Sequence, residues 1–231
     1  MNKIIKNIQK FCQKNKFEKV VIGISGGIDS AVVSSLLTKA LGHKNIIALY
    51  LPNDKNDSEL KDIKNLTKQL KLKLIIKDIS PLIKSFTKLI NCQSKFVLGN
   101  IASRIRMTIL YAYANKHNAF VCGTTNLSEY LVGYFTKFGD GACDFEPIIH
   151  LYKSQVYKLA HQLNIPQNII NKAPSATLWP NQTDEKDMGV TYDEIEKYFK
   201  KQTIDPKSKL IIEKMSKNSY HKRRLPFSID S

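Results

Sequence analysis

The sequence lacks a long apolar run. No stretch approaches the roughly 18 residues that a membrane span requires. Charge interrupts the opening Met1-Asn2-Lys3-Ile4-Ile5-Lys6-Asn7-Ile8 every few residues. That opening also lacks the apolar core and small-residue cleavage site of a signal peptide, so a cytoplasmic protein with no membrane partner is expected. Cysteine is scarce. Cys12, Cys92, Cys122 and Cys143 include no C-x-x-C pair, which removes the usual zinc and thioredoxin-type readings and leaves four free thiols. Acidic residues are short of basic ones, 20 against 36, for a net charge of +16. Such an excess suits a polyanionic partner. The lysines are scattered, however, and Lys222-Arg223-Arg224 is a short cluster, so nucleic acid is not the expected partner. Ten glycines and eight prolines are too few for a collagen-like or low-complexity chain. What remains is 231 residues, 42% apolar and 24% charged. That is a globular composition, long enough to bury a core without staples. It reads as one domain over 1–231.

Apolar residues at Ile4, Ile8 and Phe11 predict a helix over 2–15. Lys19–Ile24 reads as a buried strand, and Ala31–Leu37 as a helix. Strands are predicted at Asn45–Leu51, Leu72–Lys77 and Ala119–Gly123, with helices at 57–70 and 95–116 between them. Alternating strands and helices predict an α/β fold, a doubly wound parallel sheet flanked by helices. Residues 124–150 and 171–189 show no clean period and read as irregular. Helices are predicted at 153–163, 191–200 and 206–219.

A strand that ends in Ser25-Gly26-Gly27 and opens a helix presents free backbone N–H groups to an anion. Ser25 and Ser30 add hydroxyls. Asp29 is out of place beside a phosphate unless a cation lies between them, which points to Mg2+. The string is neither the P-loop nor the dinucleotide fingerprint. Further along, Asn100 and Arg104 share a helix face, while Arg106 points elsewhere. Gly123-Thr124-Thr125-Asn126-Leu127-Ser128-Glu129 follows a strand, where open α/β sheets place their ligands. This favours Thr124 and Glu129 as site residues. The segment Gly133–Asp144 gathers aromatics, Lys137, Asp140 and Asp144, a composition suited to stacking on a planar ring and holding hydroxyls.

Ser25-Gly26-Gly27-Ile28-Asp29-Ser30 resembles the SGGxDS loop of the N-type ATP pyrophosphatases. Taken with Gly133–Asp144, Pro180–Glu185, Gly189–Ile195 and the tail His221-Lys222-Arg223-Arg224-Leu225-Pro226, the chain resembles the ammonia-dependent NAD synthetases from about residue 20 to 226. The resemblance implies an adenine nucleotide α-hydrolase-like (Rossmann-like) fold. It implies ATP-dependent amidation of deamido-NAD with ammonia, giving NAD, AMP and pyrophosphate through an acyl-adenylate, and it implies a homodimer. It carries over ATP contacts to Gly23, Ile24, Ser25, Gly26, Gly27, Ile28, Asp29, Ser30, Thr124, Lys153 and Ser175. Magnesium falls to Asp29 and Glu129, with Lys153 as a further catalytic group. Deamido-NAD falls to Arg104, Lys137, Asp144, His221 and Lys222.

The chain departs from the family pattern in three places. Ile28 stands where a polar residue is frequent, and Ser175 where Thr is usual. Thr125-Asn126-Leu127-Ser128 replaces a common Asp-His-Ala-Ala run, so contacts of that Asp or His are not carried over. The early first strand leaves no room ahead of it for a glutaminase domain, so free ammonia is the expected donor. The stretch 171–189 is expected to act as a lid over the adenylate. The alternatives are a tRNA-modifying ATP pyrophosphatase, which leaves Gly133–Asp144 unexplained, and a binding module without chemistry, against which Asp29 and Glu129 both argue.

Overall fold

The computed structural model describes residues 1–53, 59–175, 182–224 and 226. Residues 57–58 of the predicted helix, Trp179, the centre of the expected lid and Leu225 of the tail lie outside them.

Four strands, β1 (Lys19–Gly23), β2 (Ile46–Tyr50), β3 (Leu74–Ile76) and β4 (Ala119–Cys122), pair in parallel in the order β3-β2-β1-β4. The chain winds outward from β1 to β3, then returns to the other side of β1. The crevice at the carboxyl ends of β1 and β4 is therefore the topological switch point. Val20, Val21 and Ile22 are all fully buried, because helices cover both sheet faces. On one face Val20 and Ile22 pack with α1 (Asn2–Asn15), α2 (Ile28–Leu41), α3 (Leu60–Gln69), α7 (Lys153–Gln162) and α8 (Gln167–Ile170). On the other, Val21, Leu49 and Val121 meet Ala102, Ile105 and Ala114 of α5 (Lys95–His117), with Ile83 of α4 (Ser80–Ile90) beside them. The doubly wound parallel sheet is thus the observed fold.

A smaller third core lies beyond the sheet. Val132 of α6 (Leu127–Val132) and Met188 of α9 (Asp184–Met188) meet Ile195 of α10 (Tyr192–Phe199) and Ile212 of α11 (Pro206–Asn218).

The predicted elements agree with the observed ones to within a few residues, but four helices among the described residues, α4, α6, α8 and α9, lie where none was predicted. The span of α4 starts at Ser80-Pro81, with proline in its first turn. Helix α6 interrupts 124–150, where Asn126 and Glu129 form a capping box. Helix α9 opens within 171–189, with Asp184, Glu185 and Asp187 early in it. Each is short or flanked by irregular chain, so periodicity alone does not reveal it.

Candidate active site

The glycine-rich turn lies at the carboxyl end of β1. Ser30 Oγ accepts from the Ser25 N–H at 3.2 Å and donates to the Gly27 carbonyl at 3.0 Å. The Gly27 N–H reaches Ser25 Oγ at 3.3 Å. The two serines thus tie the turn across its mouth and fix the opening of α2. Gly26 has φ +85°, a left-handed conformation that favours glycine, and it lies close against the Glu59 side chain. Ile28 turns into the first core. That explains why an apolar residue replaces a polar one, and it leaves only the Ile28 backbone for a ligand.

Asp29, in the first turn of α2, faces Glu129 of α6 and Lys153 of α7. Lys153 Nζ donates to Asp29 Oδ2 at 2.5 Å and to Glu129 Oε1 at 3.4 Å. The Lys153 side chain is 3% exposed, and the two carboxylates 16% and 15%. Asn126 donates from Nδ2 to Asp29 Oδ1 at 3.1 Å. The Lys153 N–H donates to Ser128 Oγ at 3.1 Å. Tyr192 closes the cluster from α10, its hydroxyl 3.0 Å from Glu129 Oε1 and 2.8 Å from Asp184 Oδ2. The Lys153 ammonium lies 4.8 Å from the Tyr192 ring centroid. Asp184 is buried, and its Oδ1 has no hydrogen-bond partner among the described residues.

The electrostatics follow from crowding. Burial, then the Asp29 charge, pushes Glu129 up to about 8, against the pull of Lys153. Burial by itself would lower the Lys153 ammonium. The carboxylates of Asp29 and Glu129 more than offset that and hold it above the usual lysine range. Burial likewise raises Asp184, and Lys153 opposes the rise. Three carboxyl groups crowd around one ammonium, and the proton that Glu129 retains marks a place where a further cation would relieve the crowding of acids. Among the described residues no group of three or more His, Cys, Asp or Glu is arranged as a metal cage. Two carboxylates beside an anion-binding turn instead fit Mg2+, which is usually held by one or two carboxylates together with water and phosphate.

The other predicted residues fall into two groups. Arg104 of α5 donates from Nη2 to the Lys137 carbonyl at 3.3 Å. Lys222 donates to the carbonyls of Gly133 and Phe135 at 2.8 and 2.6 Å. Arg104, Lys137 and Lys222 therefore converge on the loop 133–144, whose turn is pinned by Asp140 through Ser103 Oγ and the Thr136 N–H. Asn100 accepts from the Thr136 hydroxyl at 2.8 Å, and Arg106 turns away to the Leu51 carbonyl. Asp144 is engaged elsewhere, accepting from the Val121 N–H at 2.7 Å and from the Tyr111 hydroxyl at 3.3 Å. His221 is exposed in the short 3-10 turn Tyr220–Arg223. Thr124 is half-buried just past β4, and Ser175 ends the described part of the 171–175 segment.

Residues 1–226 match the family model for NAD synthase. The chain belongs to the NAD synthase family. It is 43% identical to the NH(3)-dependent NAD(+) synthetase of Thermoplasma volcanium over 98% of this chain and 97% of that one. Among solved structures it is similar to the NMN synthetase of Francisella tularensis, with TM-score 0.94, 39% identity, and coverage of 100% and 97% of the two chains. It is also similar to the NH3-dependent NAD synthetase of Campylobacter jejuni, solved with nitrate ion, with TM-score 0.83, 34% identity, and coverage of 99% and 96%.

In this candidate site Tyr192 and Asp184, like Asn126, received no role from sequence. Tyr192 and Asp184 lie 63 and 55 positions from Glu129, on helices that only tertiary packing brings to the sheet. Asp184 directly follows the N-cap of α9 in Thr183-Asp184-Glu185, and Tyr192 follows the capping threonine of α10. Those start signals mark helices, and nothing in them marks a site.

Proposed function

We propose that this chain is an ammonia-dependent NAD synthetase, joining ammonia to the nicotinate carboxylate of deamido-NAD at the expense of ATP. The observation that carries the reading is the Asp29–Lys153–Glu129 cluster beside the anion-binding turn at the switch point. A carboxylate oxygen attacks the α-phosphorus of ATP, the bond to the β-phosphate breaks, and pyrophosphate leaves. Ammonia then attacks the acyl carbon of the adenylate, AMP leaves, and one proton is released. Free ammonia carries the lone pair this step needs.

The backbone of Gly23–Ser30 cradles the phosphates, with Thr124 and Ser175 placed to add hydroxyl contacts. Asp29 and Glu129 are placed to hold Mg2+, which would offset charge building on the phosphates. Lys153 is a second fixed cation in a largely buried setting, where such a charge acts strongly. Arg104, Lys137 and Lys222 hold the loop that receives the pyridine nucleotide, and His221 lies on the same tail. Asp144 supports that region through its bonds to β4 and α5.

Among the described residues no helix is long and apolar enough to cross a membrane, which accords with a cytoplasmic enzyme. We read the chain as a single synthetase domain taking free ammonia, in line with NH3-dependent relatives of nearly equal length. A homodimer is supported by the exposed apolar side chains of Leu82, Phe86 and Leu89 on α4 and Phe96 at the start of α5. Leu89 is 79% exposed and Phe96 70%, so these side chains suit a second copy. Leu89→Lys with Phe96→Lys is expected to yield monomers by light scattering.

A second reading rests on the similarity to the Francisella NMN synthetase: the substrate is nicotinate mononucleotide rather than the dinucleotide. The test supplies ATP, Mg2+ and ammonium with either nucleotide and follows products by mass-detected chromatography. NAD, AMP and pyrophosphate in equal amounts, lost in Asp29→Ala, are expected. NMN alone would select the second reading, and neither product would overturn both.

A further inference from the structure

We infer that Asn126 is a positioning residue that sets the spacing of the two cation-binding carboxylates, Asp29 and Glu129. The inference rests on the function proposed above and adds a residue to its machinery. Asn126 is fully buried. Its Oδ1 accepts from the Glu129 N–H at 3.1 Å, and its own N–H donates to Glu129 Oε2 at 3.3 Å. Its Nδ2 donates to Asp29 Oδ1 at 3.1 Å. Asn126 thereby touches both acids, its side chain holding the Asp29 carboxylate and the Glu129 N–H and its backbone N–H holding the Glu129 carboxylate; the two acids lie 100 positions apart in the sequence.

The division of oxygens is the informative part. Asn126 holds Asp29 Oδ1 and Glu129 Oε2. Lys153 faces the other two, Asp29 Oδ2 and Glu129 Oε1. One oxygen of each acid is therefore fixed from behind, and the remaining oxygen of each is turned to a common cation. The amide has one workable orientation, since the reverse would set a donor against the Glu129 N–H and an acceptor against the Asp29 carboxylate. A group that orients metal-holding carboxylates in this way typically changes metal affinity about 10–100-fold when removed. The position is also one where this chain departs from the Asp-His-Ala-Ala run. The carboxamide is a geometry of its own, combining a helix cap with a carboxylate clamp.

The test uses Asn126→Ser and Asn126→Asp, because both keep an oxygen that can cap α6 and neither can donate to Asp29 from an amide. Mg2+ binding is measured by calorimetry on full-length protein with a non-hydrolysable ATP analogue. Turnover with ATP, ammonium and the pyridine nucleotide is measured beside it. The expected result is about 10-fold weaker Mg2+ binding for Asn126→Ser. A larger loss is expected for Asn126→Asp, where like charges meet. Melting temperatures should stay near that of the parent, and added Mg2+ should rescue part of the Asn126→Ser turnover. Parental Mg2+ binding in both variants would overturn the inference, and so would a loss matched by unfolding in both. If the parent itself forms no amidated product, the proposed function falls instead, and the Mg2+ binding comparison still decides the role of Asn126.

Discussion

The two sides of the candidate site are built differently. The phosphate side is one continuous strand–turn–helix unit. Its β1 and α2 residues lie in a large core whose members, from Val20 through Leu37, are almost all excluded from solvent. The substrate side is a separate layer around Val132, Met188, Ile195 and Ile212. Polar stitches join that layer to the sheet side: Tyr192 to Glu129, and Glu196 to the N–H and hydroxyl of Ser154 at 2.8 and 2.7 Å. Within the layer, the Lys222 ammonium and Gly133 join the tail to the substrate loop, and any Cβ on Gly133 would collide with Ser219. Asp29 rides on the rigid core, whereas Glu129 comes from α6, which packs into the outer layer, so the two carboxylates meet where the layers join. A layer held by hydrogen bonds can adjust to a large nucleotide without disturbing that core.

This contrast has consequences that can break it. The largest belongs to the phosphate side. Asp29→Asn is expected to reduce amide formation by about 10³-fold or more while the fold persists, since it removes charge from the position that balances the phosphates. Product analysis with circular dichroism checks both halves. Lys153→Met should lower stability by about 3–5 kcal/mol, because it leaves the largely buried Asp29 carboxylate without its cation. Urea unfolding measures this, and an unchanged midpoint would show that the cluster is not held by charge.

Glu129 gives a pH signature. In the folded metal-free chain it keeps its proton up to about pH 8, against an ordinary value of 4.5. Between those values the folded state binds more protons than the unfolded one, so stability falls as pH rises through that window. Glu129→Gln removes the fall. Its melting temperature relative to the parent should therefore climb across the window in metal-free buffer, even though activity is lost. A difference that is flat with pH would contradict the buried charge.

The stitches should cost less and should split differently. Glu196→Ala leaves the Ser154 N–H without its partner and should lower stability by about 1–3 kcal/mol, with the KM for ATP unchanged. Lys222→Met is the mildest. It frees the carbonyls of Gly133 and Phe135 and should raise the KM for the pyridine nucleotide a few-fold, again sparing ATP. If either variant moved the ATP constant as much as the nucleotide constant, the two sides would be one mechanical unit.

Sequence alone determined the parts whose physics is local. Val20–Ile22 reads as a strand because a continuous β-branched run must be buried. Ser25–Ser30 reads as an anion turn because its glycines, hydroxyls and carboxylate are adjacent in the chain. The same pattern of alternating strands and helices made the parallel sheet legible, and the motif strings made the family legible. Four helices escaped because capping signals such as Asn126…Glu129 are weaker than periodicity in short segments. Tertiary structure alone decided the meetings at long range. Lys153 comes to Asp29 across 124 positions, Asn126 across 97 and Lys222 to Gly133 across 89. It also decided that Ile28 serves the core and that Asp144 serves β4. A contact between distant residues depends on how helices pack on the sheet, and that packing follows from volume and burial summed over the whole chain. No single motif encodes it, so Asp29, Glu129 and Lys153 could be named from the sequence while their arrangement, and the parts played by Asn126, Asp184 and Tyr192 around them, could not.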